Sequence, residues 1–163
     1  MFCARLDMAV DGNKNTVSEV DVVPQAFCLE KNPYGNAFNV VETVLSSESD
    51  GVRVYDSSKA RSWRISNAEG KVNPITGKSV SYKLYPFTRG AAQPALLTDK
   101  HKCAVNHKGS FANASLWVTP YTEAERFPAG EYTPQAVEFH GLPNWIKANR
   151  NIEGADIVLW HAF

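Results

Sequence analysis

The 163-residue chain sets seventeen Lys and Arg against seventeen Asp and Glu, within 44% hydrophobic and 21% charged residues. That is the length and chemistry of an ordinary globular domain with a real core, and it argues against a disordered or low-complexity chain. A formal net charge of zero produces no large single-signed field, so nucleic acid and anionic membrane surfaces are excluded as organising partners.

Met1 to Val10 reads as a strand, with Phe2, Ala4, Leu6, Met8 and Val10 on one face and Cys3, Arg5, Asp7 and Ala9 on the other. Asp11-Gly-Asn-Lys-Asn15 tolerates positive φ and leads into the β-branched run Thr16 to Val23. Together they predict a hairpin, with Pro24 ending its second strand. Cys28 to Gly35 reads as a turn, and Asn36 to Leu45 as a third strand in which Phe38, Val40 and Val44 alternate with other neighbours. A polar loop, Ser46 to Gly51, precedes two short strands, Val52 to Tyr55 and Ser62 to Ser66, the latter with Trp63 and Ile65 on one face.

Asn67 to Gly70 and Asn73 to Gly77 are turns, and Ser79 to Tyr85 is a further alternating strand with Val80, Tyr82 and Leu84 in phase. Pro86 to Pro94 is irregular. Ala95 to Val105 fits a short helix or a loop. Ala114 to Thr119 predicts a strand, Tyr121 to Arg126 one helical turn, Phe127 to Pro134 a loop, and Leu142 to Asn149 a short helix with Pro143 in its first turn. The final run, Ile157 to Phe163, is apolar apart from His161 and predicts a strand buried on both faces. Short strands separated by glycine and proline turns predict a mainly β fold, an antiparallel β-sandwich with a few short helices, residues 1–163 forming one domain or part of one.

Both extremities read as interior strands. An apolar strand left at a terminus invites edge pairing, so the expectation is an excerpt from a larger soluble protein. No positively charged segment with a cleavage site precedes the first strand. No stretch is apolar over the roughly eighteen residues that a membrane span requires. Cys3, Cys28 and Cys103 are three widely spaced cysteines, expected as buried free thiols. They favour a reducing compartment, the cytoplasm or the peroxisome, while the compartment of an intact protein stays open. Asn113-Ala-Ser115 matches a glycosylation acceptor, relevant only in a secreted protein.

Several chemistries lack their local frame. There is no Gly-x-Ser-x-Gly elbow for a serine nucleophile and no glycine loop with phosphate-cradling spacing. His101, Cys103 and His107 place soft and borderline ligands within seven residues, a conceivable zinc or copper set. Lys100, Lys102 and Lys108 around them disfavour a cation there. His140 and His161 have no ligand neighbours in sequence and read as structural histidines. Asp7 and Asp156, one near each end, would offer hard oxygen ligands of the kind calcium or manganese takes if their strands were neighbours. The alternative is that Asp7 simply pairs with Arg5.

Three segments carry a resemblance: Phe2-Cys-Ala-Arg-Leu-Asp-Met-Ala-Val-Asp-Gly12, Arg126-Phe-Pro-Ala-Gly-Glu-Tyr132, and Asn149-Arg-Asn-Ile-Glu-Gly-Ala-Asp-Ile-Val-Leu-Trp-His161. They resemble the copper- and topaquinone-containing amine oxidases over essentially the whole chain, within the middle of that family's large C-terminal catalytic β-sandwich domain. The resemblance implies a homodimeric parent that oxidises primary amines with oxygen to aldehyde, ammonia and hydrogen peroxide. It places a His-x-His pair of copper ligands immediately before Met1 and the third copper histidine just after Phe163, and it gives His161 no ligand role. None of the six tyrosines has the Asn-Tyr-Asp/Glu context of the quinone precursor, and the catalytic aspartate falls upstream.

The resemblance therefore assigns this chain no catalytic or cofactor-binding residue. The remainder of an oxidase polypeptide becomes its expected partner. One site is implied within the chain, a peripheral calcium or manganese site at Asp7, Met8, Asp156 and Ile157. Ala9 stands where many members supply another aspartate, which removes one charged ligand. The rival expectation is a non-enzymatic β-sandwich module with a structural or partner-binding role.

Overall fold

A computed structural model describes residues 2–86, 108–135 and 140–163. In chain order its strands are β1 (Cys3–Met8), β2 (Thr16–Pro24), β3 (Phe38–Leu45), β4 (Ser62–Ser66), β5 (Ser81–Leu84), β6 (Leu116–Pro120) and β7 (Ile157–Ala162). One short helix, α1 (Leu142–Trp145), starts with proline in its first turn and runs into a 3₁₀ turn at Ile146–Ala148. The strands form two antiparallel sheets, one in the order β1-β7-β6 and the other β3-β2-β4-β5.

β7 is the centre of the smaller sheet, and all six of its residues are buried. Its side chains alternate between two cores. Ile157 and Leu159 enter the cluster that joins the sheets, with Val17, Leu45, Trp63, Ile65, Leu116 and Val118. Val158 and Trp160 point the other way and pack with Trp117, Leu142, Trp145 and Ile146. A strand buried on both faces needs apolar residues at every position, which explains the unbroken run from Ile157 to Trp160. Trp63 and Ile65 of β4 share the inter-sheet face, as their spacing predicts.

Three local expectations fail. Asp11 to Asn15 does not close a hairpin: β1 pairs with β7, whereas β2 pairs with β3 and β4. The positive φ of Asp11 (52°) and Gly12 (113°) is there, but it carries the chain from one sheet to the other. Val52 to Tyr55 is not a strand. Only Arg53 bridges to Leu116, and the backbone then bends into a 3₁₀ turn at Ser57–Lys59, where the Asp56 carboxylate accepts from the Ser58 amide at 3.0 Å. Tyr121 to Arg126 is a loop with a single turn, Glu125 N to Thr122 O at 3.1 Å. Tyr121 N still donates to Asp156 O at 2.8 Å, so sheet pairing wins over helix at that point.

β3 forms as expected but buries only Leu45; Phe38 and Val40 stay 66% and 68% exposed. Val80 and Tyr82 are likewise exposed. Among the described residues no helix is long and apolar enough to cross a membrane.

Candidate functional site

The first candidate site is the end of the β1–β7 ladder. Asp7 lies opposite Val158 and Met8 opposite Ile157. Asp156, one residue before β7, keeps the register through its carbonyl bond from Tyr121 N. Alternation then puts Asp7 and Asp156 on the same face as diagonal neighbours, a separation of roughly 7–8 Å between backbones. The β1–β7 register thus places the backbones of Asp7 and Asp156 on neighbouring strands. Asp7 is about half exposed, and its nearest cation is Arg5, 3.8 Å away. That guanidinium is held over the rings of Tyr121 at 5.5 Å and Trp160 at 5.6 Å.

Phe2 and Phe163 exchange both backbone hydrogen bonds at 2.8 and 2.9 Å. Counting along the ladder by twos makes Met8 and Ile157 a hydrogen-bonded pair as well. Their carbonyls face each other between the strands at the foot of the two aspartates. A carbonyl oxygen has two lone pairs; at Met8 the ladder bond takes one and the Asn15 amide, at 3.3 Å, the other.

Asn15, fully buried, sits beside this end. Its Nδ2 donates to the carbonyls of Met8 (3.3 Å) and Gly12 (2.7 Å), and its Oδ1 accepts from Val10 N (3.1 Å). Its backbone pairs with Ala155 at 2.8 and 3.2 Å. The cluster Asp11 to Asn15 signalled a turn in the sequence; that its last residue would be a buried four-way hydrogen-bond centre was not legible from turn propensity.

The loops around that end are tied by a second polar cluster that sequence reasoning missed. Glu48 has 0% exposure, inside a segment read as a polar loop. Arg150 reaches it with Nε (3.1 Å), Nη2 (2.6 Å) and its own backbone N–H (2.7 Å), and also binds Glu125 and Thr122. These partners hold the Arg150 guanidinium charge firmly, Glu48 first. Gly51 lies so close to β6 that an added Cβ would come within 3.0 Å of Val118, which presses this loop onto the smaller sheet. In the larger sheet, Arg61 grips Asp21 with two bonds of 2.8 Å and also meets buried Glu19. The Arg61 hydrogen bonds hold the Asp21 carboxyl below the usual carboxylate range.

The remaining predicted residues do not assemble a redox centre. His161 is buried in β7, where its Nδ1 donates to the Ser115 carbonyl at 2.8 Å, a structural role. His140 is exposed in the loop before α1. His101, Cys103 and His107 lie outside the described residues. Among the described residues no three His, Cys, Asp or Glu side chains converge on one point. Copper in proteins is held by imidazoles brought together at bonding distance, so the described residues do not fit a copper centre. Cys3 is half-buried, its thiol pushed up to about 12 by desolvation. Cys28 corrects the expectation of burial: it is exposed in its turn, and backbone amides of Lys31 and Glu30 lower its thiol pKa.

Comparison with known proteins gives consistent matches. The family described as "Copper amine oxidase, enzyme domain" matches residues 1–163. Histamine oxidase of Arthrobacter globiformis is 39% identical over 165 residues, which cover 100% of this chain and 23% of that protein. Primary amine oxidase of Arthrobacter sp. (strain P1) is 38% identical over 164 residues, 100% of this chain and 24% of its own length. Among solved structures, a copper-containing benzylamine oxidase from Hansenula polymorpha superposes with a TM-score of 0.83 at 33% identity, over 96% of this chain and 24% of that one. The chain thus spans 23–24% of the length of these relatives.

Proposed function

Because this chain belongs to the copper amine oxidase family, matched by the enzyme domain over residues 1–163, we propose that it is the scaffold segment of a primary-amine oxidase. In this reading the intact protein is a homodimer that converts primary amines and oxygen to aldehyde, ammonia and hydrogen peroxide. Copper and topaquinone would supply the redox chemistry, held by polypeptide outside this chain. What this chain contributes is a packed frame: β1 and β7, fixed in register, deliver their two ends to one place. The observation that carries the reading is the match along the whole chain to relatives of which it covers about 23%. Sequencing the transcript on both sides tests it. The expected result is an in-frame His-x-His immediately upstream of Met1 and a histidine shortly after Phe163. An in-frame stop next to either end, with no such histidines, overturns it.

A structural cation site at Asp7 and Asp156 belongs to the same proposal. Two carboxylates and the Met8 and Ile157 carbonyls are hard oxygen donors suited to calcium or manganese, and water would complete the six or more ligands such ions take. With Ala9 in place of a further aspartate, each of the two carboxylates carries half of the charge. Asp156→Asn is therefore expected to abolish the calcium-dependent rise in melting temperature while leaving the calcium-free melt nearly unchanged. An undiminished rise in the variant would count against the site.

A further inference from the structure

We infer that the far end of the β2–β3 hairpin is a docking arm, covered in the intact protein by polypeptide of the same subunit that lies outside residues 1–163. The inference rests on the scaffold reading above and names a surface which that reading leaves unassigned. β2 pairs with β4 only as far as Val20, opposite Ser62, whereas its pairing with β3 continues to Pro24, opposite Phe38. Among the described residues, the hairpin beyond Val20 is therefore a two-stranded ribbon that has left the larger sheet. Such a ribbon is marginal in water by itself. Its side chains are nevertheless those of a covered element. Phe38 and Val40 on one face of β3 and Val41 on the other are exposed, and the tip adds Phe27 (65%), Leu29 (78%) and Tyr34 (85%).

The tip is also firmly built. Asn32, 2% exposed, donates to the carbonyls of Gln25 (3.0 Å) and Ala26 (3.4 Å) and accepts from the amides of Asn36 (3.1 Å) and Ala37 (3.2 Å). Its backbone pairs with Cys28 at 2.7 and 3.2 Å. An ordered tip that holds large apolar side chains in water is preorganised for a partner, because little freedom remains to be lost on docking.

The direction of the ribbon selects the occupant. Asn15, just before β2, pairs with Ala155, just before β7. Four residues on, Glu19 meets Arg53 at 3.4 Å, and Arg53 bridges to Leu116, which faces His161 near the other end of β7. β2 thus runs along β7 toward Phe163, and the ribbon, which begins only after Val20, continues past that end. Phe2 and Phe163 exchange their backbone bonds there. In the proposed parent, chain that precedes Met1 or follows Phe163 leaves on the side where the ribbon projects. Since residues 1–163 span 23–24% of the relatives, most of such a parent departs beside this arm. Charge does not oppose the contact, because the ribbon's acids Asp21 and Glu42 are already paired with Arg61 and Arg64.

The test compares hydroxyl-radical labelling of the purified chain with that of the full-length protein from the same gene. Phe27, Leu29 and Tyr34 are expected to label strongly in the chain and to lose that labelling in the full-length protein. An amine-reactive cross-linker on Lys31, exposed at the tip, reads the occupant. Links to residues upstream of Met1 or downstream of Phe163, recovered from the monomer band of a denaturing gel, are expected. Equal labelling of the two proteins overturns the arm and leaves the scaffold reading standing. Protection with Lys31 linked only to a second subunit, in the dimer band, overturns the same-subunit occupant. A gene with no coding sequence beyond either end overturns the scaffold reading and this inference with it. Should the chain alone fail to fold, Leu29→Asp combined with Tyr34→Asp in the full-length protein decides: a lowered melting temperature is expected, and an unchanged one overturns the inference.

Discussion

Trp160→Ala is expected to lower the unfolding free energy by about 3–5 kcal/mol, read as a shift in urea midpoint. Trp160 is fully buried at the middle of β7. Its ring centre lies 5.7 Å from that of Trp145, the two rings tilted, and Arg5 lies 5.6 Å above it, so truncation opens a cavity between the smaller sheet and the segment holding α1. It also takes away the indole N–H that donates to Thr119 at 3.1 Å. Thr119 is itself buried, and an unpaired hydroxyl there adds to the loss. Against a typical domain stability of about 5–15 kcal/mol, this one change leaves a marginal fold. Trp160→Phe keeps most of the ring and is expected to lose much less. A midpoint for Trp160→Ala within error of the unaltered chain would mean that the second core contributes little.

The second large effect is expected at Arg150. Arg150→Met strands the carboxylate of Glu48, which has no exposed surface, with a single remaining bond from the residue-150 amide. Breaking a buried ion pair from one side costs about 3–5 kcal/mol. Arg150 is partly solvated, and that screening argues for the lower end, about 3 kcal/mol. Adding Glu48→Met to Arg150→Met should then restore part of that stability, because the Glu48 charge is gone while the Glu125 carboxylate still lacks its partner. Denaturation midpoints of the two single variants and the double variant form the test. A double variant as unstable as the sum of the singles would show that the two side chains do not depend on each other.

These two sites also show how far the sequence could be read. β7 was legible because a strand buried on both faces must be apolar at nearly every position, and little else produces six apolar residues in the seven after Asp156. Trp63 and Ile65 were legible for the same reason at period two. Glu48 was not legible: its burial depends on a partner 102 residues away, and in a run of serines and acids nothing local distinguishes a buried carboxylate from a solvated one. The Asp11 to Asn15 turn was recognised as a turn, but turn chemistry sets local φ and does not say which sheet receives the next strand. The exposure of Phe38 and Val40 was hidden in a similar way, since alternation identifies faces and not what lies opposite them.

The candidate site divides along the same line. Composition and spacing offered Asp7 and Asp156 only as two acids at opposite ends. Their adjacency follows from the register of β1 against β7, and the resemblance supplied the reason to look there. Asn15 became visible only with coordinates, because a buried amide that serves three backbone groups leaves no pattern in the sequence.

The most direct measurement of the central claim is an oxidation assay on the purified chain, loaded with copper and supplied with a primary amine in air. If, as proposed, the copper ligands and the quinone precursor lie in polypeptide outside this chain, it should release no hydrogen peroxide and form no phenylhydrazine-reactive chromophore. Peroxide produced in proportion to the chain, or appearance of that chromophore, would contradict the account.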